Sequence, residues 1–172
     1  DGKCIRVIKG HKDTIRCDII PFNKYFVSGF SSRKIRITLF NDVKLIRIIE
    51  GHKSTVWNVC VSADSKYLVS FSHNLVYYTL QITRMDDGTI VKNISTGGET
   101  GVLCMTTNSK YVLCSWFGRT IGVIRLRDGM LVRVIITPHT DAVQHICISP
   151  DNKYVVSSSG NETIVSWFEN GK

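Results

Sequence analysis

Apolar residues are grouped along this chain in short runs of five to eight, and turn-forming clusters separate them from end to end. After a leading run at 4–9, a first group occupies 14–20, 25–30, 35–40 and 44–49. Each run is rich in Val, Ile, Phe or Tyr, the side chains that suit a pleated, half-buried surface. Between them lie Pro21-Phe22-Asn23, Ser31-Ser32-Arg33 and Asn41-Asp42, all residues that turn the chain by local hydrogen bonding or a preset φ. A second group follows at 55–61, 67–72, 75–82 and 89–94, and a third at 102–106, 111–116, 120–126 and 130–135. The last group holds only three runs, 143–149, 154–158 and 163–168. No stretch sustains an apolar period of 3.6 residues over a helical length. The pattern predicts an all-β chain of short strands in units of about 42 residues.

The units are internal repeats, and two landmarks keep step across them. One is Lys-Tyr followed by apolar residues, with the lysines at 24, 66, 110 and 153, spacings of 42, 44 and 43. The other is Gly10-His11, Gly51-His52, Gly97-Gly98 and Pro138-His139. The second unit is the longest, with 46 residues from His52 to Gly98 against 41 on either side, and an extended turn over 81–88 is the expected place for the excess. The cleanest copy is the last. It carries His139, then Ser149-Pro150-Asp151-Asn152-Lys153, Ser157, Asn161 and Trp167.

That copy resembles the WD-repeat family, in which a Gly-His entry, a Ser-Pro-Asp-Gly-Lys turn and a closing Trp-Asp mark each four-stranded propeller blade. The resemblance extends over essentially the whole chain and implies a leading outer strand at 1–9. Blades follow at 10–50, 51–96 and 97–137, with an incomplete blade at 138–172. It also implies a His–Ser–Asp–Trp hydrogen-bond chain within a blade. Carried over, this is His139, Ser157, Asn161 and Trp167 in the fourth unit. Elsewhere it is partial: His11 and Ser28 with Ser32 and Thr38 in the first unit, and His52 and Ser70 with Tyr78 in the second. Gly98, Gly118 and Ile124 in the third unit leave no such chain. Physically, a hydroxyl on one side of an imidazole and an acid or amide on the other satisfy both ring nitrogens.

By the same resemblance, the leading strand completes the last blade, which pairs two otherwise exposed edges. Sixteen strands then amount to four blades. Three readings of that number stand open: a part of a larger propeller, half of an eight-bladed dimer, and a four-bladed ring. The ring requires a turn of about 90° per blade, against about 50° in a ring of seven.

Composition narrows the function. Hydrophobic residues make up 43% of 172, which argues for a packed domain, and no run approaches the length of a membrane-spanning helix. The six cysteines, Cys4, Cys17, Cys60, Cys104, Cys114 and Cys147, form no C-x-x-C pair and are expected as free, mostly buried thiols in a reducing compartment. A cytoplasmic setting, with the nucleus not excluded, is the expectation. The net charge of +8 is dispersed, with local groupings at Arg33, Lys34 and Arg36 and at Arg119, Arg125, Arg127 and Arg133. It leaves a nucleic acid or anionic surface as the alternative partner.

No nucleophile elbow, zinc-ligand spacing or phosphate-binding glycine loop is present, so a non-catalytic role without cofactor or metal is expected. His139, Ser157 and Asn161 recur in decaying form in sister units, as structural residues do. The resemblance implies a platform for other proteins, with partners docked where the first strand of each blade begins. The matching positions are Thr14, Arg16, Thr55, Trp57, Leu103 and Gln144. Arg16 and Trp57 are the side-chain types that most often anchor interfaces.

Overall fold

The computed structural model describes Cys4 and residues 15–19, 25–30, 33–39, 42, 44–74, 78–97 and 101–169; for 15–19 and Phe30 only the backbone is described. Among the described residues there are fifteen strands and no helix. They form four antiparallel meanders. The first contains β1 (Ile15–Ile19), β2 (Tyr25–Phe30), β3 (Ile35–Leu39) and β4 (Leu45–Ile49). The second contains β5 (Val56–Val61), β6 (Tyr67–His73), β7 (Tyr78–Arg84) and β8 (Ile90–Ser95). The third contains β9 (Leu103–Met105), β10 (Tyr111–Ser115), β11 (Thr120–Arg125) and β12 (Leu131–Ile136). The last holds β13 (His145–Ile148), β14 (Tyr154–Ser159) and β15 (Glu162–Trp167). This is the all-β, blade-by-blade architecture that the repeats predict. The leading strand expected at 4–9 and the closure built on it lie outside the described residues.

The same local chemistry folds each sheet. Ser62, Thr106 and Ser149 end the first strands. Each hydroxyl donates to the acid or amide two residues on, to Asp64 at 2.7 Å, Asn108 at 2.8 Å and Asp151 at 2.6 Å. Each also accepts the backbone N–H of the following tyrosine, at 2.9 to 3.0 Å. Ser65, Ser109 and Asn152 occupy the left-handed region there, with φ of 58°, 56° and 57°. The local side-chain bonds offset the strain of that conformation at non-glycine residues. These turns also join neighbours: the Asp64 N–H donates to Ser109 Oγ at 2.9 Å, and the Thr107 N–H to Asn152 Oδ1 at 2.9 Å.

Strand register repeats with equal fidelity. Val27 faces Ile37, Val69 faces Ile82, Leu113 faces Val123, and Val156 faces Val165. The third-to-fourth strand pairing shifts by one residue at Ile37/Thr38, Ile82/Thr83 and Val123/Ile124, a bulge at one place in each complete sheet. A bulge there bends the strand and increases its twist. The excess length of the second unit is not in 81–88. The backbone turn from Arg84 to Thr89 matches that from Arg125 to Met130, with N–H to carbonyl bonds of 2.9 Å in both. Tyr67 pairs with Arg84, 17 residues on, and Tyr111 with Arg125, 14 residues on, which puts three of the five additional residues between β6 and β7.

The core lies between sheets. Val27, Ile35 and Ile37 of the first pack on Val59, Val61 and Leu68 of the second. Val69, Leu80 and Ile82 then pack on Val112, Ile124 and Leu126 of the third. Leu113, Ile121 and Val123 pack on Val143, Ile146 and Val155 of the fourth. In the first three sheets the second and third strands therefore bury both faces, whereas in the fourth β14 and β15 bury one; β4, β8 and β12 lie outermost and expose most of their side chains. Among the described cysteines Cys60 and Cys114 are buried as expected. Cys4 and Cys147 are exposed instead, Cys147 because it lies opposite Val156, on the face of the last sheet turned away from the third.

Candidate functional site

His52 enters the second sheet ahead of β5 and is buried between two hydroxyls of β6. Its Nδ1 lies 2.7 Å from Ser72 Oγ and its Nε2 2.6 Å from Ser70 Oγ. Ser70 and Ser72 alternate along one strand and so share a face. A hydroxyl both donates and accepts, so a neutral imidazole is satisfied on both sides. Burial pushes the His52 pKa down to about 4, which keeps the ring neutral. Ser72 takes the place that the resemblance assigns to an acid.

In the fourth sheet His139 Nε2 lies 2.9 Å from Ser157 Oγ. The nearest acid to its Nδ1 is Glu162, at 3.6 Å, and not the neighbouring Asn161, which is exposed. Trp167 is exposed as well and packs against Tyr154 in a tilted arrangement, with ring centroids 4.5 Å apart and planes inclined by 37°. Cross-strand pairing places Leu39, Arg84 and Arg125 opposite the turn tyrosines, as Trp167 is opposite Tyr154. Thr38, Tyr78 and Ile124 are therefore not at the tryptophan register. Ser28 is buried, and His11, Ser32 and Gly98 lie outside the described residues.

The six expected contact positions divide. Thr14 lies outside the described residues. Arg16 sits in β1 opposite Gly29, known by its backbone alone. Thr55 is half-buried away from the shared cavity. Trp57, Leu103 and Gln144 converge: they line one cavity of about 470 Å³ where the first strands of three consecutive sheets begin. Asn58, His73, His145 and Cys147 complete much of its wall. The Trp57 ring is 42% exposed and stacks on His73 at 4.9 Å, and His73 stacks in turn on Tyr78 at 5.4 Å. The Asn58 amide donates to the Gly101 carbonyl at 3.1 Å, and the Gln144 N–H to the Ser158 carbonyl at 2.8 Å. These bonds fix the rim while leaving the Gln144 side chain exposed.

Sequence reasoning missed His73, Asn58 and His145. The signal for His73 was its place on the aromatic side of β6, two residues beyond Phe71, but a lone histidine carries no partner in its sequence. The cavity holds no Lys, Arg, Asp or Glu among its lining residues. The arrangement is suited to gripping an apolar or aromatic side chain and a backbone amide.

Four of the basic residues in the two local groupings are engaged locally. Lys34 pairs with Glu50 at 2.7 Å, and Arg125 with Asp128 at 2.7 Å. Arg119 donates to the His139 and Thr140 carbonyls, and Arg133 to the Glu169 carbonyl while lying over Phe168. Among the described residues no group of His, Cys, Asp and Glu is placed to hold a metal ion. No helix among them is long and apolar enough to cross a membrane.

Comparison with known families finds one model, described as WD domain, G-beta repeat, that matches residues 2–38, 43–78 and 129–167. The unmatched stretch between the second and third matches, 79–128, contains most of the third unit, where glycine replaces the histidine. No curated protein matches the chain.

Proposed function

The chain belongs to the WD-repeat family, whose repeats generally mediate protein–protein interaction and are typically non-catalytic, and from that premise we propose that it is an interaction platform within a larger intracellular assembly or signalling protein. A segment of the partner protein inserts an apolar or aromatic side chain beside Trp57 and Leu103. Its backbone is held by the Gln144 and Asn58 amides. What supports this reading is one observation: residues from three successive blades open into a single uncharged cavity with an exposed, stacked tryptophan at its edge. A stacked ring loses little rotamer freedom on binding, which makes it an efficient anchor.

Panning a random peptide display library against the chain tests it. Enriched peptides should lose at least tenfold in affinity for Trp57→Ala and for Gln144→Ala, and bind Ile136→Ser as they bind the parent. Peptides insensitive to both cavity variants would place the interaction elsewhere.

A further inference from the structure

The two faces of the second blade differ in chemistry. Val69, Leu80 and Ile82 pack on the third blade, so the residues that alternate with them face the first. Leu68 begins that face and packs on the first blade. Beyond Leu68 the face turns polar. Ser70 pairs with Gln81 and Gln81 with Asn93; Ser72 pairs with Thr79 and Thr79 with Ser95. Two rows of hydroxyl and amide side chains therefore cross β6, β7 and β8. Ser70 and Gln81 are fully buried, and among the described residues Gln81 Oε1 meets no donor, a costly state for an amide in a protein interior.

The third blade is apolar at the same register. Counted from the paired Tyr111 and Arg125, its two rows are Cys114, Gly122 and Val134, and Trp116, Thr120 and Ile136. The Trp116 ring lies over Gly122 and packs into the core shared with the second blade. In the second blade Ser72 stands where the third has Trp116, and a cavity of about 370 Å³ opens there. Ser72, Thr79, Asn93 and Ser95 line it from the sheet, and Lys53 and Ser54 from the segment that enters the blade.

The residues lining this cavity are all polar or glycine; none is acidic, and Lys53 carries the one charge among them. An ammonium group without a lining carboxylate favours one negative group on a ligand. Ser54 Oγ already donates to the His73 carbonyl at 2.6 Å, so towards a ligand it can only accept. A bare oxyanion has no proton to give it, whereas a hydroxyl does. Ser, Thr and Asn side chains both give and take hydrogen bonds, as ligand hydroxyls do. We propose that this cavity binds a small polyhydroxylated anion, a sugar phosphate or a sugar acid, with its anionic group at Lys53 and its hydroxyls along Ser54, Thr79, Asn93 and Ser95. The cavity shares no lining residue with the one at Trp57, so the inference is independent of the platform reading.

Isothermal titration calorimetry on the 172-residue chain tests it with glucose 6-phosphate, ribose 5-phosphate and glucuronate, against glucose and inorganic phosphate. At least one of the hydroxylated anions should bind about tenfold or more tightly than glucose and than inorganic phosphate. Lys53→Met, at an exposed position, should bring its affinity down to that of the neutral sugar. Asn93 and Ser95 are exposed too, and Asn93→Val with Ser95→Ile installs the residue types of the third blade. That pair should weaken binding about tenfold or more while circular dichroism and Tm stay as in the parent. Failure of all three hydroxylated anions to bind overturns the proposal. So does inorganic phosphate or glucose binding as tightly as they do, and so does binding that survives Lys53→Met.

Discussion

His52 makes the second blade sensitive to acid, and the size of the effect follows from its environment. The ring is buried between Ser70 and Ser72, and burial pushes its pKa down to about 4 from an ordinary 6.5. The unfolded chain therefore binds this proton at higher pH than the folded chain does. Stability from His52 is fully present above about pH 6.5, declines as pH falls through the window, and levels off below about pH 4. A tenfold difference in proton affinity between the two states corresponds to about 1.4 kcal/mol, so the loss between pH 7.5 and pH 5 is about 2 kcal/mol, rising to about 3 kcal/mol near pH 4. Carboxylates elsewhere also titrate, and the comparison that isolates His52 is the difference from His52→Gln. Urea midpoints for the two proteins should converge by about 2 kcal/mol from pH 7.5 to pH 5. Parallel curves over that range would show that the imidazole accepts a proton in the folded state as readily as in water, and the reasoning from burial would fail.

Other outcomes follow from packing and turn chemistry. Phe71→Ala removes a fully buried ring beside Gly101 and should destabilise the protein by about 3–5 kcal/mol in urea unfolding, with no change in slope. Gly122→Val should cost about 1–3 kcal/mol, read as a lowered Tm, because a Cβ at Gly122 meets Trp116 Cε3 at 2.7 Å. Ser62→Ala deletes the hydroxyl that bonds both Asp64 and the Tyr67 N–H, and about 1 kcal/mol should be lost in the same assay. The Arg125 guanidinium, through its hydrogen bonds, holds the Asp128 carboxyl down at about 2. Arg125→Ala should move the Asp128 midpoint, followed by NMR, up towards the ordinary carboxylate range, and an unchanged midpoint would assign the shift to the Met130 N–H instead.

Local chemistry makes the blades legible in the order of residues alone. The Lys-Tyr landmark marks the second strand of each unit, and Ser or Thr ahead of Asp or Asn marks the turn before it. Both depend on neighbours within five residues, so composition and spacing suffice to specify them. Contacts that form between repeats were not legible. The convergence of Trp57, Leu103 and Gln144 was expected only as a shared edge, and His73 joined it because strand pairing carries its ring beneath Trp57. Asn161 stood at the expected sequence position, yet Glu162 lies nearest His139, because the turn before β15 leaves Asn161 outside. A strand reverses the facing of its side chains with every residue, so an offset of one in a turn exchanges which of two neighbours points inward. The sequence by itself determined the number and kind of repeating units, since each unit's turns and alternation are local. Only the tertiary structure decided which blade faces are buried and that the face of the fourth stands open, because burial is set by what packs opposite, and no repeat encodes its own neighbour.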